Sequence, residues 1–384
     1  MSVRRGGPPF GARLWSALFV VAVSCTTTAG GVAAPAVTAK AVGATSQTSP
    51  SSPIVPAEPA ASPTPTARAT PSVAPSVAPS VAPTVAPTVT LREYPLPPGQ
   101  GPHDVAPAVD GGVWYTAQRS GELGWLDPAT GRTRSVKLGP SSAPHGVIVG
   151  PDGAPWITDG GQNAIVRVDP GTSEVTRYPL PAGRPRADLN TAAFDDRGIL
   201  WFTGQGGGVY GSLDPATGAV RVFDAPRGAG PYGISAAPSG VYFASLAGSY
   251  VGRIATATGS VTVLDPPTRA QGARRTWADS KGRVWVAEWN VGKVAAYDPA
   301  SGTWKEWTLP GARPMAYAVY VDERDLVWLT DWGANALVRF DPARESFESF
   351  AHPQAGANVR QLLGRPGEVW GAMSGQDRLV VARY

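Results

Sequence analysis

One aromatic position recurs along most of the chain and limits the folds that the chain can adopt. The residue is tryptophan in six copies and tyrosine in one, at intervals of 41 to 45 residues: Trp114, Trp156, Trp201, Tyr242, Trp285, Trp328 and Trp370. A turn such as Pro151-Asp152-Gly153 precedes each copy, and strand-like segments separated by glycine-containing turns follow it. Repeats of this length with four short strands are typical of the blades of a β-propeller.

The composition agrees with this interpretation. The chain has 384 residues with 46 glycines, and only 16% of its residues are charged, which suits a turn-rich β protein. We therefore predict an all-β fold, a seven-bladed β-propeller of four-stranded blades, over residues 89–384. One aromatic side chain per blade would fill the space between neighbouring blades, so we interpret the seven as core residues rather than ligand contacts.

The last repeat lacks one strand. After Trp370 it offers a single further strand, at 379–383, before the chain ends at Tyr384. The segment at 89–96 precedes the first repeat and resembles the fourth strand of other blades, such as 174–180. We predict that this N-terminal strand completes the seventh blade. A ring closed in this way leaves few free sheet edges, which predicts a monomer.

The N-terminal segment has the pattern of an export signal. Residues 1–25 combine a basic start with an apolar run at 14–23, which is too short to span a membrane. The only cysteine, Cys25, follows this run and predicts lipidation at a lipobox; ordinary secretion with cleavage near Ala33 or Ala34 is the alternative. Residues 26–88 are rich in Pro, Ala, Ser, Thr and Val and predict a disordered linker. We thus expect an extracellular or cell-surface lipoprotein that meets the membrane only through its anchor.

The charge and the motifs exclude several function classes. The formal net charge is +4, and removal of the N-terminal segment with Arg4, Arg5 and Arg13 lowers it to +1. A nearly neutral chain without a basic stripe argues against nucleic-acid binding. The nucleophile-elbow, phosphate-loop and zinc-protease motifs are all absent from the sequence.

Counting back about eleven residues from each recurring aromatic reaches the innermost strand of each predicted blade. All seven residues at this position can form hydrogen bonds: His103, His145, Asn190, Tyr232, Arg274, Tyr317 and Arg360. Innermost strands surround the axial channel, so these side chains predict a polar site at the channel mouth. The alternative is a structural ring of hydrogen bonds between blades.

A second set lies three residues after each recurring aromatic. It contains the acids Asp159, Glu288 and Asp331, which could face the two arginines of the first set. The ligand of such a site would be a small molecule or a peptide-like compound. Paired arginines beside aromatic rings would suit a carboxylate, an acidic sugar or a peptide terminus.

The repeats resemble those of the streptogramin B lyases, the virginiamycin B lyase family. The resemblance rests on Pro144-His145-Gly146-Val147, on Gly150-Pro151-Asp152-Gly153, and on the segment from Trp328 to Arg339. It implies a carbon–oxygen lyase that opens a cyclic depsipeptide antibiotic. A histidine base removes a proton α to a carbonyl of a threonyl residue, an elimination follows, and Mg²⁺ stabilises the developing enolate.

The residues at the family's functional positions differ in this chain. His103 stands where the family has a tyrosine, and Tyr317 where it has a histidine. Asn358 and Arg360 match the family's seventh-blade glutamate and catalytic histidine, and Ser374 matches a further glutamate. Magnesium prefers hard oxygen ligands, usually including a carboxylate, and an arginine stays protonated and cannot act as a base.

Two interpretations follow, beside a less favoured hydrolytic activity. In the first, the chain is a lyase with a rearranged site, in which His103 or His145 is the base and Arg274 or Arg360 stabilises negative charge. Glu288 and Asp331 would then orient these groups or hold a cation. In the second, the propeller binds an acidic or carboxylate-bearing ligand without catalysis.

Overall fold

The computed structural model describes residues 88–183, 186–228 and 230–384. The predicted signal segment, Cys25 and nearly all of the predicted linker lie outside the described residues. Among the described residues, no helix is long and apolar enough to span a membrane. The described ranges contain one 3₁₀ turn, at Pro226–Gly228.

In the described part of the chain, twenty-eight strands form seven antiparallel sheets of four strands, which confirms the predicted seven-bladed β-propeller. Blade 1 contains β2–β5, at Pro102–Pro107, Val113–Ala117, Glu122–Leu126 and Thr133–Lys137. Blade 2 contains β6–β9, at Pro144–Val149, Pro155–Asp159, Ala164–Val168 and Val175–Pro179. Blade 3 contains β10–β13, at Leu189–Phe194, Leu200–Gly204, Val209–Asp214 and Ala219–Asp224.

The remaining blades repeat this order from the innermost strand outward. Blade 4 contains β14–β17, at Pro231–Ala237, Gly240–Ser245, Tyr250–Ile254 and Val261–Leu264. Blade 5 contains β18–β21, at Ala273–Ala278, Val284–Glu288, Lys293–Asp298 and Thr303–Thr308. Blade 6 contains β22–β25, at Ala316–Val321, Val327–Asp331, Ala336–Asp341 and Ser346–Ala351. Blade 7 contains β26–β28 and, as its outermost strand, β1, at Val359–Arg365, Glu368–Met373, Arg378–Arg383 and Thr90–Pro95.

The N-terminal strand closes the ring as predicted. β1 pairs with β28 in antiparallel register, from Thr90 opposite Arg383 to Pro95 opposite Arg378. Tyr94 is buried against Trp370, with ring centroids 5.4 Å apart, and belongs to a core cluster that joins blades 7 and 1. The first and last parts of the chain therefore share one blade.

The recurring aromatics are core residues, also as predicted. All seven are almost fully buried, and those of blades 2 to 5 pack in clusters that each include residues of the following blade. The preceding turn holds several of the indoles: Asp279 Oδ2 accepts a hydrogen bond from Trp285 Nε1 at 2.9 Å, and Asp322 Oδ2 accepts one from Trp328 Nε1 at 2.8 Å. The acidic residue of the turn thus satisfies an N–H that the core would otherwise leave unpaired.

Candidate functional site

A β-bulge at the start of every inner strand positions the candidate site. The register between inner and second strands shifts in all seven blades, for instance between Pro102 and Val105 in blade 1. The second residue of each inner strand lies within its bulge. These residues are the seven of the predicted ring: His103, His145, Asn190, Tyr232, Arg274, Tyr317 and Arg360. Bulges re-aim side chains, which explains a common position for seven different residues.

A threonine two residues after the recurring aromatic fixes several of these bulges. Thr116 Oγ1 accepts a hydrogen bond from Asp104 N in its own blade and donates one to the His145 carbonyl of the next blade. Thr158 Oγ1 does the same for Gly146 N and the Asn190 carbonyl. Each threonine accepts a hydrogen bond from a backbone N–H that the bulge leaves without a partner in the sheet. Its own hydroxyl then donates to the carbonyl of a ring residue in the next blade.

A hydrogen bond and a ring contact both hold His103 in place. Its Nδ1 lies 2.8 Å from Asp104 Oδ1, and its imidazole contacts that of His145, with centroids 3.6 Å apart and planes tilted by 44°. Because the ionised carboxylate can only accept, Nδ1 carries the proton and Nε2 keeps its lone pair. Nε2 lies 3.4 Å from Arg360 Nη1, so the lone pair faces the ring.

The two tyrosines and the two arginines of the ring form the other part of the cluster. The Tyr232 and Tyr317 hydroxyls are 2.5 Å apart, and Arg360 Nη1 donates to the Tyr317 hydroxyl at 3.3 Å. Arg274 Nη2 donates to the Tyr232 hydroxyl at 3.2 Å, and its guanidinium carbon lies 3.7 Å from the centroid of the Tyr317 ring. Residues of blades 1, 4, 5, 6 and 7 therefore converge.

An ion pair across the channel was not found from the sequence. Arg275 Nη2 lies 3.0 Å from Asp104 Oδ1, and both side chains are buried. Arg275 Nη1 also donates to Thr191 Oγ1 at 3.0 Å. Asp104 therefore orients His103 on one side and neutralises Arg275 on the other. The available signal was weak: each of these charged residues directly follows a ring residue.

Two tryptophans at the rim were also missed. Trp332 stacks on Tyr317 with centroids 4.7 Å apart, and Trp289 meets Trp332 edge to face at 5.4 Å. Both are only half-buried, unlike the core tryptophans. Their signal was a second tryptophan four residues after the recurring one, in Trp285-Val-Ala-Glu-Trp289 and Trp328-Leu-Thr-Asp-Trp332.

The structure does not bring the acids of the second set to the arginines. Asp159 accepts hydrogen bonds from Ser142 Oγ, Ala143 N and Gln162 N, and Asp331 accepts them from Met315 N, Gly333 N and Ala334 N. Both close loops. Glu288 is fully buried with neither carboxylate oxygen hydrogen-bonded, and burial raises its pKa to about 8. Within the described ranges, none of the three forms an ion pair with Arg274 or Arg360.

The remaining predicted residues lie at the edge of the cluster. Ser374 Oγ accepts a hydrogen bond from Arg360 Nε at 2.8 Å and donates to the Asn358 carbonyl at 3.0 Å. Asn190 is buried, and its Oδ1 has no hydrogen-bond partner.

These positions do not fit Mg²⁺. Asn358, Arg360 and Ser374 offer no carboxylate, and the Arg360 guanidinium lies among them. Within the described part of the chain, the one group of three candidate metal-ligand side chains is His103, Asp104 and His145. Two imidazoles with one carboxylate suit a transition metal better than magnesium. Asp104 is moreover already paired with Arg275.

Burial and the arginines together set the protonation of the ring. Burial, reinforced by Arg360, Arg275 and Arg274, holds the pKa of His103 well below its usual 6.5. Burial and the neighbouring His103 lower the pKa of His145 in the same way. Burial alone would raise the pKa of Tyr317, but Arg274, Arg275 and Arg360 outweigh it and lower that pKa. Both imidazoles are thus neutral near pH 7.

The comparisons with known proteins agree on the family. A family model described as the virginiamycin B lyase family matches residues 78–310. A streptogramin B lyase structure is 25% identical with a TM-score of 0.70, and the match covers 77% of this chain and 97% of that one.

Two structures of virginiamycin B lyase from Staphylococcus aureus, one of them a catalytically inactive variant with quinupristin, are 22% identical with TM-scores of 0.72. Each match covers 77% of this chain and 100% of the other. A search of curated proteins found no match. Because the family model spans more than half of the sequence, and the blade count agrees, the chain belongs to the virginiamycin B lyase family.

Proposed function

We propose that this chain is a carbon–oxygen lyase that opens an ester of a cyclic depsipeptide by elimination, with a base on blade 1. Membership of the virginiamycin B lyase family supports the reaction class, and the structurally similar staphylococcal enzyme binds quinupristin in an inactive variant. One observation carries the proposal for this chain: His103 is held by Asp104 through Nδ1 and turns Nε2 toward Arg360.

His103 is the proposed base because its geometry and protonation both suit proton abstraction. A neutral imidazole with a fixed tautomer accepts a proton at Nε2 without prior deprotonation. The Asp104 carboxylate, 2.8 Å from Nδ1, offsets part of the destabilisation of the resulting imidazolium by burial and by the neighbouring arginines. Arg360, which occupies the family's base position, cannot accept a proton.

The elimination balances with groups present in the ring. His103 Nε2 takes the proton from the α-carbon of the threonyl residue, and the C–H electrons form the double bond between the α- and β-carbons. The bond from the β-carbon to the ester oxygen breaks, and the ester leaves as a carboxylate. Arg360, within reach of both His103 Nε2 and the Tyr317 hydroxyl, stabilises the developing negative charge in place of a metal.

Export and tethering belong to the same proposal. The N-terminal pattern at residues 1–25 and the lipidation candidate Cys25 support a domain that works outside the cell. An enzyme that opens cyclic depsipeptide antibiotics at the surface would meet its substrate before the substrate reaches the cell interior. The linker of residues 26–88, with its prolines, would hold the propeller away from the membrane.

The experiment incubates the full chain with quinupristin and a panel of other cyclic depsipeptides, with a chelator and with added Mg²⁺. Elimination opens the ring without changing the mass and creates a new carbon–carbon double bond, whereas hydrolysis adds the mass of one water. Chromatography with fragment-ion mass spectrometry and near-ultraviolet absorbance separates these outcomes. We expect elimination products that form equally in chelator.

The matched variants are His103→Gln and His352→Gln. Removal of a general base lowers the rate about 10²–10⁴-fold, and we expect this for His103→Gln. His352 is also buried but follows β25, the outermost strand of blade 6, so its variant should keep full activity. Binding without turnover across the panel would contradict the lyase activity and indicate a non-catalytic binding protein. Turnover that strictly requires Mg²⁺ would contradict the proposal that Arg360 stabilises the developing charge in place of a metal.

A further inference from the structure

We infer that Arg274 and Trp289 form a subsite for a carboxylate that the substrate carries in addition to the ester that is cleaved, next to an aromatic group. This inference rests on the proposed function, because it names the class of substrate that the same ring would accept. It differs from the reaction itself, since Arg360 and not Arg274 lies beside His103.

The contacts of Arg274 are almost all with aromatic rings. Its guanidinium carbon lies 3.7 Å from the Tyr317 centroid, 4.5 Å from that of Tyr232 and 4.7 Å from that of Trp289. Its one hydrogen bond goes to the Tyr232 hydroxyl, and its buried Nε has no partner. The rings contact the faces of the planar cation, and Nη1, which has no hydrogen-bond partner among the described residues, remains free to donate to a ligand.

The charges of the ring leave Arg274 without a counter-ion. Asp104 is paired with Arg275, the histidines are neutral, and within the described residues no carboxylate lies within ion-pair distance of Arg274 or Arg360. Glu288 precedes Trp289 in the chain, but its charged neighbours are Glu306 and Lys293 rather than Arg274. A partly buried cation without a partner is unfavourable, so the site gains by binding an anion.

The shape of these groups selects the anion. A guanidinium presents parallel N–H donors that match a carboxylate. Trp289 and Trp332, half-buried and edge to face at 5.4 Å, form a partly accessible aromatic wall beside it. A carboxylate adjacent to an aromatic ring would contact both features at once. The carboxylate released by ring opening is a different group, because it forms at the reacting atoms beside Arg360.

The binding experiment is independent of turnover. The full chain carrying His103→Gln is titrated by calorimetry with hippurate, which joins a carboxylate to an aryl amide, and with its neutral amide, hippuramide. We expect hippurate to bind about 10–100-fold more tightly, the range of a charge-assisted hydrogen-bonded pair. Adding Arg274→Gln should abolish this preference.

Arg344→Gln is the matched control. Arg344 is an exposed arginine in the turn between β24 and β25, at the end of blade 6 opposite the ring, and its variant should keep the full preference. Equal affinity for hippurate and hippuramide overturns the inference. A preference that survives Arg274→Gln but is lost in Arg360→Gln also overturns it, because hippurate would then occupy the position of the released carboxylate.

Turnover separates this inference from the proposed lyase activity. Two cyclic depsipeptides that differ only by glutamate against glutamine beside an aromatic residue are compared with the unmodified chain. We expect about 10–100-fold lower KM for the glutamate compound, with kcat similar for both. Turnover without this preference would contradict the subsite and support the lyase activity. Arg274-dependent binding of hippurate, without turnover of either compound, would contradict the lyase activity and support the subsite.

Discussion

Asp104 and Arg275 lie in blades 1 and 5 and meet across the channel, with Oδ1 and Nη2 3.0 Å apart. Both side chains are buried, and the same carboxylate oxygen accepts the hydrogen bond from His103. The ion pair therefore couples the packing of the blades to the orientation of the proposed base. Its removal should affect stability and activity together.

We expect Asp104→Asn to lower the free energy of unfolding by about 3–5 kcal/mol, because the buried Arg275 would lose its counter-ion. Arg275→Gln should have a comparable effect for the converse reason. The free energy of unfolding of the double variant should fall by clearly less than the sum of the two single decreases, since neither buried charge remains. Denaturant unfolding of the four proteins measures this coupling; simple additivity would show that the pair contributes nothing specific.

The pH dependence of kcat/KM should report the protonation of His103. The pKa of its imidazole is well below 6.5 in the folded chain, so the base remains neutral and active as the pH falls from 8 to 6.5. Activity should decline only at lower pH. Arg360→Gln removes the charge that lowers this pKa most after burial, so the decline should move to higher pH even though the rate is reduced. An unchanged profile in this variant would exclude Arg360 as a neighbour of the base.

Glu288 should make the fold less stable as the pH rises. Its pKa is about 8 in the folded chain against an ordinary 4.5, so the folded state binds a proton more tightly than the unfolded state. Stability from this group is complete below pH 4.5 and is lost as the pH rises through 8, by roughly 3–5 kcal/mol. Glu288→Gln should abolish this loss. Thermal unfolding of both proteins between pH 5 and 9 tests it, and parallel curves would contradict it.

Deletion of residues 88–97 should prevent cooperative folding, because it removes β1 together with Tyr94 and Leu96 from the core between blades 7 and 1. The free edge of β28 would also be exposed. Calorimetry should show no sharp transition for this variant. Deletion of residues 26–80, within the predicted linker, is the control and should leave the transition temperature unchanged.

The repeat made the fold and the seven ring positions predictable, because identical blades place equivalent residues in equivalent places. Asp104 and Arg275 could not be found in this way. In a regular strand, adjacent residues point to opposite sides, so the neighbour of a ring residue is expected on a blade face. The bulges break this alternation, and the length of the arginine side chain lets Arg275 reach another blade.

The acids of the second set show that equivalent positions in the repeat need not have equivalent partners. Asp159 and Asp331 occupy equivalent positions and do equivalent work, in loop closure, whereas Glu288 at the same position has no hydrogen-bonded partner. The position of a residue in the repeat predicts where its backbone lies in the blade. Its partners depend on neighbouring loops, whose sequences vary from blade to blade. The rim tryptophans Trp289 and Trp332 each lie four residues after a core tryptophan, so the repeat alone does not distinguish them from core residues.

The shared seventh blade has a consequence for the order in which the protein can assemble. Tyr94 and Arg383, which contact each other in the closed ring, are 289 positions apart in the sequence. At 5–20 residues per second, synthesis of the intervening chain takes on the order of 10–60 s. During that time the first strand has no partner, and the innermost strand of blade 1 has no neighbour on the side of blade 7. The ring therefore becomes a complete site only after the last strand has been synthesised and has paired with the first.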